Sequence, residues 1–187
     1  RRCRGRSSRR LPRHRTARRN LAELWLDSGE PRRALREADS LLAHARAAEA
    51  SGTLGRGPSP REAQLLRAQA LAALNEPDSS EVVYRRLLAQ DSTNVEGLRG
   101  LVPLLLDRNA ISEAQALAGR LMALSASAPL LTDLYHHAFV LRRMGRWLDA
   151  RQAYDRAVAM APQAAHLYAE RGLVRFALQD FTGACED

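Results

Sequence analysis

An all-α chain of consecutive antiparallel helix pairs is predicted by three observations. One pattern is written twice at a fixed interval near the C-terminus: Leu134, Ala138, Leu141, Gly145, Trp147, Ala150, Tyr154, Ala157 and Pro162, then Tyr168, Gly172, Arg175, Gln179, Phe181 and Ala184, so that Ala150 and Ala184 stand 34 residues apart. A period in that range belongs to arrays whose units are helix pairs unable to bury their apolar faces alone. Apolar residues recur at three- and four-residue spacing through most of the chain, and no strand-like run of β-branched residues appears. Gly, Asn and Pro punctuate the stripes where helices would have to turn.

Charge and composition narrow the function. Apolar residues make up 45% of the 187, enough for a core, while aromatics at 5% leave helix contacts to Ala and Leu. The net charge of +8 is concentrated at one end: residues 1–19 hold ten arginines and no acid, so the remainder sums to −2. Residues 1–14 are rich in Arg, Ser and Pro without apolar periodicity and read as a disordered tail. Such a tail would be a solvated extension, or would attract nucleic acid or an anionic surface. Cys3 and Cys185 stand far apart in sequence and read as free thiols in a reducing compartment such as the cytoplasm. No apolar run is long enough to span a membrane. The first residue is not Met and the last falls inside a helical pattern, so the sequence reads as a piece of a longer chain.

The first helix pair spans residues 15–50. Leu21, Ala22 and Trp25 share one face, Ser28-Gly29-Glu30-Pro31 breaks it, and Ala34, Ala38 and Leu41 form the second stripe. Gly29 suits the left-handed position after a helix, and Pro31 the first turn of the next. Residues 51–60, SGTLGRGPSP, form a Gly/Ser/Pro loop. An array follows over 61–187, as units 61–94, 95–128, 131–164 and a partial 165–187. The second unit carries Leu65, Ala68 and Leu71 or Ala72, a turn from Asn75 to Ser80, then Val83, Tyr84, Leu87 and Leu88. The third carries Leu98, Leu101, Val102 and Leu105, Asn109 at the turn, then Ala114, Ala118 and Leu121. Pro103 falls inside its first helix, where it removes a backbone donor and crowds the Arg99 carbonyl, so a kink is expected.

These positions resemble the tetratricopeptide repeat family: a large residue at the fourth place, a small one at the eighth, Gly at fifteen, aromatics at seventeen and twenty-four, Ala at twenty and twenty-seven, Pro at thirty-two. The fourth unit matches with Leu134, Ala138, Gly145, Trp147, Ala150, Tyr154, Ala157 and Pro162, and the fifth with Tyr168, Gly172, Phe181 and Ala184. The earlier units depart in places, as where Ser80 replaces the twentieth-place Ala. The resemblance covers residues 15–187 and implies a right-handed α-solenoid, a superhelix whose first helices line a concave groove for a peptide or partner helix. Transferred to this chain, the groove would hold Arg99, Pro103 and Leu106, then Tyr135, His136, Phe139, Arg142 and Arg143, then His166, Ala169, Glu170, Leu173 and Phe176. The family's clamp for chaperone C-terminal tails needs Lys and Asn at the fifth and ninth places. Those places read Arg19 and Glu23, Leu65 and Gln69, Arg99 and Pro103, Tyr135 and Phe139, which disfavours a chaperone tail as partner.

Other chemistry finds little support. His136 and His137 are adjacent on a helix and point about 100° apart, so they cannot converge with His166 on a metal. No metal and no cofactor is expected, and His137 reads as a packed, hydrogen-bonded core residue. The chain lacks a phosphate-cradling Gly-rich loop, H-E-x-x-H and G-x-S-x-G, and Cys185 has no basic neighbour to activate it. Tyr135, Phe139 and Phe176 would either anchor a peptide together with Arg142 or pack against the next repeat. The expectation is a non-enzymatic protein-interaction scaffold. The alternatives are nucleic-acid or anionic-surface binding through the basic tail, and a recruiting segment of a larger enzyme or secretion component. The first helix of the fifth unit is expected to stand unpartnered, with Leu173 and Phe176 exposed.

Overall fold

The computed structural model describes residues 11–52 and 59–187, which contain ten α-helices and no strand. Residues 1–10 of the basic tail and 53–58 of the Gly/Ser/Pro loop, with Cys3, lie outside the described residues. The chain divides into two units, Arg1–Ser92 and Thr93–Asp187. The first holds α1 (Leu11–Asp27), α2 (Pro31–Ala50), α3 (Pro60–Ala73) and α4 (Pro77–Gln90). The second holds α5 (Val95–Asp107), α6 (Ile111–Leu124), α7 (Leu131–Arg143), α8 (Trp147–Met160), α9 (Ala165–Ala177) and α10 (Phe181–Glu186). Helix α1 begins at Leu11, four residues before the start read from the sequence at residue 15.

Within each unit, successive helices pack as antiparallel pairs joined by one recurring turn. Gly29, Asn75, Asn109, Gly145 and Gln179 all have φ between +60° and +74°. In each case the next residue donates its N–H back across the turn: Glu30 to the Trp25 carbonyl at 2.8 Å, Glu76 to Leu71 at 3.0 Å, Ala110 to Leu105 at 2.8 Å, Arg146 to Leu141 at 2.9 Å and Asp180 to Arg175 at 3.0 Å. This six-to-one bond closes the orphan carbonyls of a helix C-terminus and requires a left-handed residue, for which Gly and then Asn are the low-strain choices. Gln179 adopts the same conformation without either advantage. Pro31, Pro60 and Pro77 open their helices, where the missing N–H costs nothing. Ser59 adds a reciprocal cap with Glu62: the Glu62 N–H donates to Ser59 Oγ at 3.2 Å and the Ser59 N–H to Glu62 Oε2 at 2.7 Å.

The pairs pack through the small residues of the repeat. Ala138, Ala150 and Ala157 are fully buried around Tyr154 and Leu134 in the second unit, as are Ala22 and Ala38 beside Leu41 and Leu66 in the first. Ser80, the departure from alanine at the twentieth place, is also fully buried, and its hydroxyl donates to the Ala68 carbonyl at 2.8 Å. A serine fits there because the facing helix supplies an acceptor, which removes the penalty of a buried hydroxyl. Helix α5 continues through Pro103 for another turn to Asp107.

Two readings are corrected. His137 is expected to be hydrogen-bonded, but its buried Nδ1 has no hydrogen-bond partner. Helix α9 does not stand without a partner: α10 lies against it, with Gly183 buried, the Gly183 N–H capped by Asp180 Oδ1 at 3.0 Å, and Arg175 Nη1 donating to the Gly183 carbonyl at 2.8 Å. Six helical residues suffice because Asp187 adds a carboxylate that Arg171 and Arg175 grip from α9. Leu173 and Phe176 remain 56% and 63% exposed.

Candidate functional site

The first helices of the second unit, α5, α7 and α9, carry every residue proposed for the groove. Helix α7 presents Tyr135, His136, Phe139 and Arg142 at the three- and four-residue spacing that puts side chains on neighbouring faces. Tyr135 is the centre of the group. Its ring centroid lies 5.6 Å from that of His136, 6.2 Å from Phe139, 6.4 Å from Tyr154 and 5.7 Å from His166 on α9. These separations suit tilted and edge-on aromatic contacts. Beside them opens a concavity of about 160 Å³, walled by Pro103, Leu106 and Asp107 of α5 and by Tyr135, His136 and Phe139 of α7.

Charge is arranged next to the rings rather than among them. The Arg142 guanidinium sits 4.9 Å from the Phe139 ring centre, within cation–π range. Its Nε lies 3.0 Å from Glu170 Oε2, an ion pair with both side chains about one-fifth exposed. The Nε–H is not aimed at that oxygen, so the atom has the Coulombic contact without a formed hydrogen bond. The Tyr154 hydroxyl donates to the same oxygen at 3.4 Å. Burial holds the Tyr154 phenol protonated well above its ordinary range, and raises Tyr135 in the same direction. Burial also lowers His136 below the usual imidazole value, the nearby carboxylates of Asp133 and Asp107 opposing it only in part. At neutral pH the concavity therefore presents a neutral imidazole, two rings, an aliphatic wall and one carboxylate.

The structure gathers Tyr135, His136, Phe139, Arg142, His166 and Glu170 into this group, with Pro103 and Leu106 in the wall of the concavity, and engages Arg99, Arg143, Leu173 and Phe176 elsewhere. Arg99 is engaged by Asp133, its Nε and Nη2 donating at 3.0 and 2.9 Å to a carboxylate whose side chain is 1% exposed, while its Nη1 donates to Glu96 at 2.6 Å. Those hydrogen bonds hold the Arg99 guanidinium charged. Arg143 donates to Asn109 Oδ1 at 2.5 Å. Leu173 lies exposed on α9, and Phe176 makes an edge contact with Phe181 of α10 at 5.5 Å. Sequence reasoning missed Asp107 as a wall residue and Asp133 as the partner of Arg99. The Arg99 pair spans 34 residues, one repeat period, so the same place in successive units was the available signal.

Among the described residues, no group of three or more His, Cys, Asp and Glu side chains is placed to hold a metal ion, and no helix is long and apolar enough to cross a membrane. Cys185 is a free, exposed thiol.

The sequence profile described as Tetratricopeptide repeat matches residues 26–95 and 137–186. No curated protein matches the chain. Among solved structures, MamA from Desulfovibrio magneticus RS-1 superposes with a TM-score of 0.70 at 18% identity, covering 91% of this chain and 89% of that one. PilF of Pseudomonas aeruginosa gives 0.74 at 17%, covering 93% and 73%. YrrB, titled a TPR protein with an unusual peptide-binding site, gives 0.68 at 15%, covering 92% and 81%. With the profile covering well over half of the residues, five turns of one geometry and helix pairs throughout the described residues, the chain belongs to the tetratricopeptide repeat family.

Proposed function

We propose that this chain is a non-enzymatic interaction scaffold that binds a peptide or partner helix on the first-helix face of its second unit, with an apolar side chain of the ligand seated between Phe139 and Pro103. The tetratricopeptide repeat fold is typical of protein-interaction scaffolds. The observation that carries the finer reading is the concavity of about 160 Å³ between α5 and α7, with ring and aliphatic walls and one carboxylate at its edge. Desolvated pockets lined by aromatic residues are where binding energy concentrates. Arg142, already stacked on Phe139, would meet an acidic group of the ligand at the cost of loosening its contact with Glu170. The peptide-binding site named for YrrB supports a peptide as ligand class.

A displayed random-peptide library panned against the chain provides the test. Selected peptides should lose about tenfold or more in affinity on Phe139→Ala, the scale of losing one buried aromatic anchor, with helicity and melting temperature unchanged. Equal affinity for the variant rejects this face as the ligand site.

A further inference from the structure

The first unit carries a separate groove on the opposite kind of surface, formed by its second helices α2 and α4 with α3 beneath them. Its wide part, about 910 Å³, runs past Arg46, Arg61, Gln64 and Arg86. A narrower pocket of about 240 Å³ continues from it over Leu42, Val82 and Val83 and shares Arg46, Gln64 and Arg86. Three features set it apart from an ordinary furrow between helices.

The first is unspent charge. Arg61 faces Asp91 at 3.7 Å and Arg67 faces Asp39 at 2.8 Å, so those two cations are balanced within the unit. Arg46 and Arg86 make no ion pair among the described residues, and Glu49 is the one carboxylate among the residues lining either part. The second is an orphaned acceptor. Gln64 is 93% buried at the place where the two parts join, and its Oε1 has no hydrogen-bond partner. A buried carbonyl oxygen left unpaired is costly, and a ligand N–H delivered to it would recover that cost. The third is an apolar recess. Leu42 and Val83 are buried in the wall of the narrow pocket, and Val82, 61% exposed, stands at its edge.

We propose that this groove docks an acidic peptide segment with a single apolar anchor: the anchor fills the narrow pocket, carboxylates on either side meet Arg46 and Arg86, and a main-chain N–H donates to Gln64 Oε1. Charge complementarity selects the acidic partner. A nucleic acid would satisfy the arginines but not the rest, because among the described residues no aromatic ring lines either part to stack a base, and the recess calls for an aliphatic side chain. This second-helix surface lies outside the Tyr135–Phe139 face and stands independently of the function proposed for it.

The probe is a fluorescein-labelled peptide with one leucine between pairs of glutamates, titrated against the full chain by fluorescence anisotropy. Arg46→Gln combined with Arg86→Gln keeps two methylenes of each stem and should weaken binding about tenfold or more, as expected for losing two charge contacts. Gln64→Leu should weaken it severalfold while leaving thermal stability equal or higher. Replacing the probe's leucine by glycine should abolish saturable binding, and Phe139→Ala should leave it unchanged. The arginines of residues 1–19 are the same in every variant, so a loss caused by the pair is not theirs. Unchanged affinity in the double variant overturns the proposal. Equal binding of the glycine probe, or full displacement by oligouridylate or inorganic phosphate with no dependence on the leucine, overturns it in favour of a bare anion surface.

Discussion

In residues 93–187, Arg99, Arg142, Arg171 and Arg175 each reach a carboxylate on another helix or at its end: Asp133, Glu170, Asp155 with Asp187, and Asp187 again. In the first unit the pairs are more exposed, as at Arg67 with Asp39, and Arg46 and Arg86 have none among the described residues. The same residue type therefore forms half-buried mortar at these places in the second unit, and in the first forms more exposed cross-helix pairs or, at Arg46 and Arg86, open surface. Partner distance and burial decide which, since a carboxylate buried to 1% exposure has no water to turn to, whereas one that is half exposed does. Net charge alone carries none of this, because paired and unpaired arginines count equally in it.

Several substitutions sharpen that contrast or break it, beginning with the largest effect. Asp133→Ala leaves Arg99 with only the exposed Glu96 and frees the Leu130 N–H that Asp133 Oδ2 accepts at 3.1 Å; a loss of about 3 kcal/mol in chemical denaturation is expected for removing the buried partner of such a pair. Gly145→Ala puts a Cβ on a residue at φ +74° and should cost about 1–2 kcal/mol, while Gln179→Gly should stabilise by about 1 kcal/mol for the same reason. Ser80→Ala removes the bond to the Ala68 carbonyl and should cost about 1 kcal/mol. Asp39→Ala, at an exposed pair, should cost about 0.5 kcal/mol or less. A loss at Asp39 equal to that at Asp133 would erase the distinction between the units.

The last prediction concerns pH. Burial lowers His136 and His137 below their ordinary values, and Arg146 and Arg156 push His137 further the same way. A folded value below the unfolded one means that the unfolded chain binds protons first. The stability contributed by the neutral rings is complete above the unfolded imidazole range near pH 6.5 and falls as the pH drops below it. His137→Leu also removes the orphaned Nδ1, so its melting temperature should fall less between pH 7 and pH 5 than that of the parent. An identical slope for both proteins would place the pH dependence elsewhere.

Much of the fold was legible before any coordinates. The stripes at Leu98, Leu101, Val102 and Leu105, and at Leu134, Ala138 and Leu141, are all buried, because a helix pair has one core face and the spacing of apolar residues states which. The turn glycines at 29 and 145 and Asn109 were legible for a similar reason: few residues tolerate positive φ. Gln179 was legible only through the repeat, standing 34 residues after Gly145, since a glutamine by itself carries no such mark. Trp147, the aromatic at the seventeenth place, is 37% exposed at the first position of α8. Of the candidate face, the aromatic positions on α7 could be named from the resemblance to the repeat family. Whether Arg99 was available to a ligand could not, because its partner lies a full repeat away.

Sequence by itself determined the repeat period, the helix pairing and the identity of the core face, since each depends on residues close along the chain and on a periodicity that backbone geometry enforces. Only the tertiary structure decided which polar groups are spent and which are left over. Ser80 finds a carbonyl twelve residues away, and Arg99 a carboxylate 34 away. Gln64 Oε1 and His137 Nδ1 find nothing. Hydrogen bonds and ion pairs act over a few ångströms between helices that the chain brings together only on folding, so their accounts close in three dimensions.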